Sequence, residues 1–237
     1  MKKFILIAMS LLLILSFSNI AFAKNFVQLD VSYTGDFYNE FGNNGNRDSE
    51  IYIGLTGEMS IIKAFSLNAN AGVILNKNTT LTQGNVSNKN ILVSLDATLI
   101  GKYYVVNSDI FELALGSEIN YLKPFYDDPD ITSNYFLLSL GVYGSVNISS
   151  KLGLYGSISL PMANLSWGQD NTNDKFAYGS FSFSPPVIVL GAKYSIFSNF
   201  YIGLEFSSMN IAQTGVAMAL VRASKLYSAK LMFGMNF

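Results

Sequence analysis

The chain has 237 residues, half of them hydrophobic, with only 13% charged and 14% aromatic. Charge is usually about a quarter of a soluble domain, so an ordinary water-facing surface is excluded, and a net charge of −1 leaves no basic excess to attract nucleic acid. The absence of Cys excludes a disulfide framework, a thiolate metal site and a lipidated cysteine anchor.

The N-terminus carries a targeting pattern. Met1-Lys2-Lys3 is basic, Phe4 to Leu15 is an apolar core, and Ala21-Phe22-Ala23 is a small-residue cleavage site. This predicts a signal peptide over residues 1–23, read at Ala21 and Ala23, and an exported domain over 24–237. An uncleaved anchor helix is the alternative. Loss of Lys2 and Lys3 takes the net charge to −3. Beyond this leader no apolar run approaches the ~18 residues of a membrane helix.

From Lys24 onward the period is two, not 3.6. Val27, Leu29, Val31 and Tyr33 alternate with Gln28, Asp30, Ser32 and Thr34. Similar alternation runs over 51–58, 65–75, 91–102, 111–120, 136–147, 152–160, 188–195, 200–207 and 227–237. That makes about ten strands, each near the length that a tilted strand needs to cross a bilayer. Eight is the alternative count, because the short run 51–58 and the stretch before Pro185-Pro186 are the weakest. Connections alternate in length: short at 59–64, 105–109, 147–151 and 196–199, long and polar at 36–50, 76–90, 122–134, 161–180 and 208–224. Trp167 falls in the longest-looking of these. The region 208–224 is unusually apolar and fits a hairpin turning at Thr214-Gly215 above the membrane.

One face of nearly every strand is apolar, and the other is Ser, Asn, Thr, Gly and Tyr with scattered charge. A soluble sandwich would show more Lys and Glu on its second face. On the apolar face Phe65, Tyr103, Phe111, Tyr194, Phe200 and Phe237 fall near short turns, whereas Tyr33, Tyr121, Phe136, Phe206 and Tyr227 fall near long ones. Two aromatic belts bounding an apolar band mark two membrane interfaces. Lipid leaves no unpaired backbone group tolerable, so the sheet must close. The fold class is therefore all-β, a closed antiparallel up-and-down transmembrane β-barrel.

The leader, the alternation, the runs Gly191-Ala-Lys-Tyr194 and Phe200-Tyr-Ile-Gly-Leu-Glu-Phe206, and the terminal aromatic residue resemble the small bacterial outer-membrane β-barrel proteins, the OmpA/OmpX-like superfamily. The resemblance covers the whole exported chain and rests on pattern. It implies residence in the cell outer membrane, contact with outer-membrane lipid, and a last strand in which Phe233, Met235 and Phe237 are the signal for the barrel-assembly machinery. An extracellular ligand would be met through the long loops. Enzymes of this architecture rely on His, the side chain suited to base work near neutral pH, and this sequence contains none. A non-enzymatic structural or surface-interaction, adhesin-like role without cofactor is the expectation, with a His-independent outer-membrane enzyme as the lesser alternative.

Inward charge is the candidate site: Asp30, Glu58, Asp96, Lys102, Glu112, Glu118, Lys193, Glu205 and Lys230. With a turn centred at Asn107, Lys102 would face Glu112, and Asp96 would face Glu118 with a Lys, Arg222, a proton or a cation to offset the repulsion. Glu205 should lie between strands carrying Lys193 and Lys230. These groups read as a salt-bridged plug filling a narrow lumen, with a cation-selective, porin-like constriction as the alternative. Asp127, Asp128 and Asp130 concentrate carboxylates in one loop, as for Ca²⁺ or simply as a solvated turn.

Overall fold

The computed structural model describes residues 25–35, 49–77, 80–83, 86–126, 130, 132–169, 175–181, 186–210 and 225–237. The leader with Ala21 and Ala23, Asp127 and Asp128, the Thr214-Gly215 turn and Arg222 lie outside them. Among the described residues there are twelve strands: β1 (Phe26–Gly35), β2 (Ser49–Ile62), β3 (Phe65–Lys77), β4 (Thr80–Gln83), β5 (Val86–Asn107), β6 (Phe111–Tyr126), β7 (Thr132–Asn147), β8 (Leu152–Gln169), β9 (Lys175–Phe181), β10 (Val187–Ser195), β11 (Phe200–Asn210) and β12 (Lys225–Asn236).

Ten of these form a ring in the order β1-β2-β3-β5-β6-β7-β8-β10-β11-β12, all antiparallel. Two pairings close it. β1 meets β12, with Leu29 opposite Phe233, and β8 meets β10, with Gly156 opposite Leu190. The ring leaves no lateral edge at membrane height, as lipid requires. Ten is thus the strand count of the barrel, and the short run 51–58 is the centre of a full-length strand.

The alternation reads directly as inside and outside. On β2, Ile51, Ile53 and Leu55 are exposed while Gly54 and Thr56 are buried. In a soluble domain this would be inverted; here the exposed side is hydrocarbon-facing, and Leu190 at 64% exposure and Leu204 at 40% belong there. Aromatic residues bound the band as the sequence predicts. Tyr103, Phe111, Tyr194 and Phe200 are exposed at the short-turn end, and Tyr33, Phe136 and Phe206 at the other.

Short turns are held by side chains. Ser108 Oγ accepts from Phe111 N at 3.0 Å and donates to Phe111 O at 2.8 Å, and Ser149 Oγ accepts from Leu152 N at 3.1 Å. The structure corrects the sequence at the other end. Strands run on into three of the stretches that read as loops: β4 and β5 pair through Leu81 and Lys89, β6 reaches Tyr126 with β7 starting at Thr132, and β8 reaches Gln169 with β9 starting at Lys175. Above the membrane both faces of a strand meet water, so polarity no longer alternates although backbone pairing continues.

A phase break adds to this. Leu138 pairs with Ala163 and Ser139 with Pro161, leaving Met162 as the extra residue of a bulge. One added residue turns every later side chain to the opposite face. Trp167 is accordingly a wall residue of β8 opposite Asn134, not a loop residue.

Candidate functional site: the barrel lumen

The lumen side chains fall into linked groups. Toward the short-turn end, Glu58 Oε1 accepts from Ser66 Oγ and Tyr104 OH, both at 2.8 Å. Its Oε2 accepts from Lys102 Nζ at 2.7 Å and Asn68 Nδ2 at 3.3 Å. Both carboxylate oxygens are therefore satisfied, which a charge so removed from water requires. Glu112 lies lower, accepting from Ser145 Oγ at 2.8 Å.

Beside this group, Lys193 Nζ sits over three aromatic rings: Phe26 at 4.2 Å, Tyr201 at 4.7 Å and Tyr155 at 5.4 Å from the centroids. These rings come from β1, β11 and β8, so the ammonium of β10 gathers three other strands by cation–π attraction. Phe26 also packs edge-on against Tyr201, with centroids 6.3 Å apart.

At mid-height Asp30 is 0% exposed. Its Oδ1 accepts from Gln28 Nε2 at 2.8 Å, and its Oδ2 accepts from Asn70 Nδ2 at 3.3 Å and from Thr56 Oγ1. Asn70 Nδ2 also donates to Thr56 Oγ1 at 2.6 Å, and Tyr52 OH donates to Asn70 Oδ1. Tyr201 OH donates to Gln28 Oε1 at 2.7 Å, tying the network to the aromatic group below. On the β12 side of Asp30, Lys230 Nζ is 2.6 Å from Glu205 Oε1, and Tyr155 OH donates to Glu205 Oε2 at 2.8 Å.

Two of the expected pairings are absent. Lys102 stands opposite Gly116, not Glu112, and Asp96 stands opposite Leu122, not Glu118. The turn lies at residues 108–110 rather than at Asn107, and a bulge between Tyr104 and Val106 shifts the register again. Glu112 instead faces Asn107 and Glu118 faces Ile100. Asp96 takes a hydrogen bond from Asn120 Nδ2 at 2.9 Å, and Glu118 one from Tyr143 OH at 3.4 Å. Glu205 does lie between the strands of Lys193 and Lys230, but it stands opposite Lys230 alone, whereas Lys193 faces Gly203 and turns to the rings.

Phe233 and Met235 project outward from β12, and Phe237 N donates to Asn25 O at 3.0 Å. Asp130 is exposed.

Sequence reasoning did not single out the tyrosines. Tyr52, Tyr104, Tyr143, Tyr155 and Tyr201 point into the bore, and four of these five lie over glycines. Tyr155 stands directly opposite Gly191 and Tyr201 opposite Gly234. Tyr52 covers both members of the Gly54–Gly72 pair, and Tyr143 both members of Gly116–Gly141. A Cβ at any of these six glycines would run into the ring above it. The legible signal was Tyr and Gly two residues apart on one polar face, at 52/54 and 141/143.

A closed sheet with an apolar, aromatic-bounded exterior and a hydrogen-bonded polar interior is a transmembrane barrel of the bacterial outer membrane. No protein-family model matches the sequence, and no curated protein matches it. Among solved structures it is similar to the translocator domain of autotransporter NalP from Neisseria meningitidis (12% identity, 98% of this chain and 95% of that one, TM-score 0.47). It is similar also to the COG4313 outer membrane channel from Pseudomonas putida F1 (8%, 92% and 97%, 0.46) and to the outer membrane protease OmpT from Escherichia coli (10%, 93% and 99%, 0.42). Likeness at this level carries no activity.

Proposed function

We propose that this barrel is a non-enzymatic structural or surface-interaction protein whose lumen is plugged by its own side chains. The observation that carries this reading is a belt of contacts around the bore near the short-turn end. Lys102 lies over the Tyr143 ring at 5.5 Å and reaches Glu58; Glu58 stands opposite Phe26; Phe26 lies beneath Lys193, which reaches Tyr155 on β8, the neighbour of Tyr143's strand. Met232 at 1% and Tyr201 at 4% exposure support a packed interior there. Interaction with a ligand would then fall to the outer ends of the strands and the loops beyond them.

A second reading is a narrow, cation-preferring channel. It is favoured by Asp96 and Glu118, which accept hydrogen bonds from the neutral Asn120 and Tyr143 and, among the described residues, make no ion pair. The non-enzymatic part of the reading is supported by the lack of His, the side chain best matched to base work near neutral pH.

Planar-bilayer recording of the refolded barrel separates these readings. The plug gives no steady conductance. Persistent cation-preferring openings that shrink in Asp96→Asn or Glu118→Gln would establish the channel and end the plug.

A further inference from the structure

We propose that the outer end of the β6–β9 wall is a binding site for the phosphorylated headgroup of an outer-leaflet lipid. This rests on the membrane barrel alone and is independent of whether the lumen conducts.

Among residues whose side chains are described, two charges point outward from the barrel wall, Lys123 and Lys175. The phase of each strand sets this. Lys123 shares a face with exposed Ile119 and Phe125 on β6, and Lys175 on β9 shares a face with Ala177, which stands opposite Trp167 of β8. Both are cations, both lie at the long-loop end, and they flank one patch three strand spacings wide, about 14 Å across. Every other strand whose outward side chains are described at this height carries aliphatic or aromatic residues or Ser, such as Ile51, Leu75, Leu95, Tyr33 and Phe206.

Between the lysines the wall is layered. Tyr121 and Phe136 are paired across β6 and β7, with ring centroids 5.0 Å apart, and Phe136 stacks on Trp167 at 5.4 Å and 16°. Immediately above, Tyr121 OH donates to Asn134 Oδ1 at 2.8 Å. Lys123 Nζ stands 5.4 Å from the Phe125 centroid, with no carboxylate at ion-pair distance among the described residues. Below the rings come Ile119, Leu138 and Ala163. Aliphatic, aromatic, then amide and cation is the order of chains, interface and phosphate in one leaflet. The lateral reach to both lysines suits a wide headgroup bearing two phosphates better than one phosphodiester.

Trp167 is the single tryptophan of the chain and stands inside the patch, so its fluorescence reports on this face alone. Refolded full-length barrel in neutral detergent is titrated with diphosphorylated lipid A, with the same lipid after phosphatase treatment, and with inorganic phosphate. The expected result is a saturable change in Trp167 emission with the diphosphorylated lipid, roughly thirtyfold weaker in Lys123→Gln/Lys175→Gln. It is unchanged in Lys63→Gln/Lys151→Gln, which removes two exposed lysines at the opposite end. All three proteins are first shown to be folded by their heat-dependent gel mobility. Equal binding by the first double variant overturns the proposal, as does equal loss in the second or equal response to the dephosphorylated lipid. The same emission change with inorganic phosphate alone overturns the assignment to lipid.

Discussion

Lys102 on β5 does not pair with a carboxylate of its own hairpin but reaches over β3 to Glu58 on β2, Nζ to Oε2 at 2.7 Å. Side chains two strands apart on one concave face converge toward the axis, and this geometry exists only once the sheet has curled. The pair is 16% and 10% exposed, so removal of the cation leaves a charge with little water. Lys102→Met should destabilise the barrel by roughly 3 kcal/mol. Lys102→Met/Glu58→Gln should cost less than Lys102→Met alone, because no uncompensated carboxylate then remains. Urea unfolding in lipid vesicles followed by Trp167 fluorescence measures both; a double variant weaker than the single one would refute this account of the pair.

The tyrosine–glycine contacts make a steric prediction. A methyl group at Gly234 enters the space of the Tyr201 ring, which also holds Gln28 through a 2.7 Å hydrogen bond. Gly234→Ala should cost about 1–3 kcal/mol, as overpacking does elsewhere. Part of that loss should return in Gly234→Ala/Tyr201→Ala, whose second substitution vacates the same space. Additive losses in the same unfolding assay would show that the two positions do not compete.

The exterior makes a different one. Leu204 faces outward at mid-strand opposite Leu231 and Ala192. Leu204→Arg should destabilise the vesicle-inserted barrel by about 2–4 kcal/mol, the depth-dependent cost of a cation near the bilayer centre. Lys123, near the interface, should be nearly neutral to substitution in the same assay. Tolerance of Arg at position 204 would mean that this face does not meet hydrocarbon.

If the ring of side chains is the plug, thinning it should open a path. Phe26→Ala/Tyr201→Ala removes two of the three rings around Lys193 while leaving every inward charge in place. The variant should gain a bilayer conductance absent from the parent, with preference for cations because the inward carboxylates named above outnumber the lysines. An opened but anion-preferring lumen would contradict the charge assignment.

The sequence by itself determined that this is a barrel, where it resides and which side chains face inward. The physical reason is local. Side chains alternate on any strand, and the two solvents on its two faces sort Leu from Ser at every second position. It therefore placed Asp30, Glu58, Glu205 and Lys230 inside without knowledge of any contact. That Glu205 lies between the strands of Lys193 and Lys230 was also legible, since the three strands follow one another in sequence. Which charge meets which across several strands was not. The turn after Asn107 and the bulge near Tyr104 moved Lys102 away from Glu112, and Met162 reversed the phase that hid Trp167 in a supposed loop. Closure and curvature then brought Phe26 of β1 to Lys193, joining Tyr155 and Tyr201 on the strands either side of β10. Alternation records only the face on which a residue lies; register, bulges and closure decide its neighbours, and those are properties of the whole sheet.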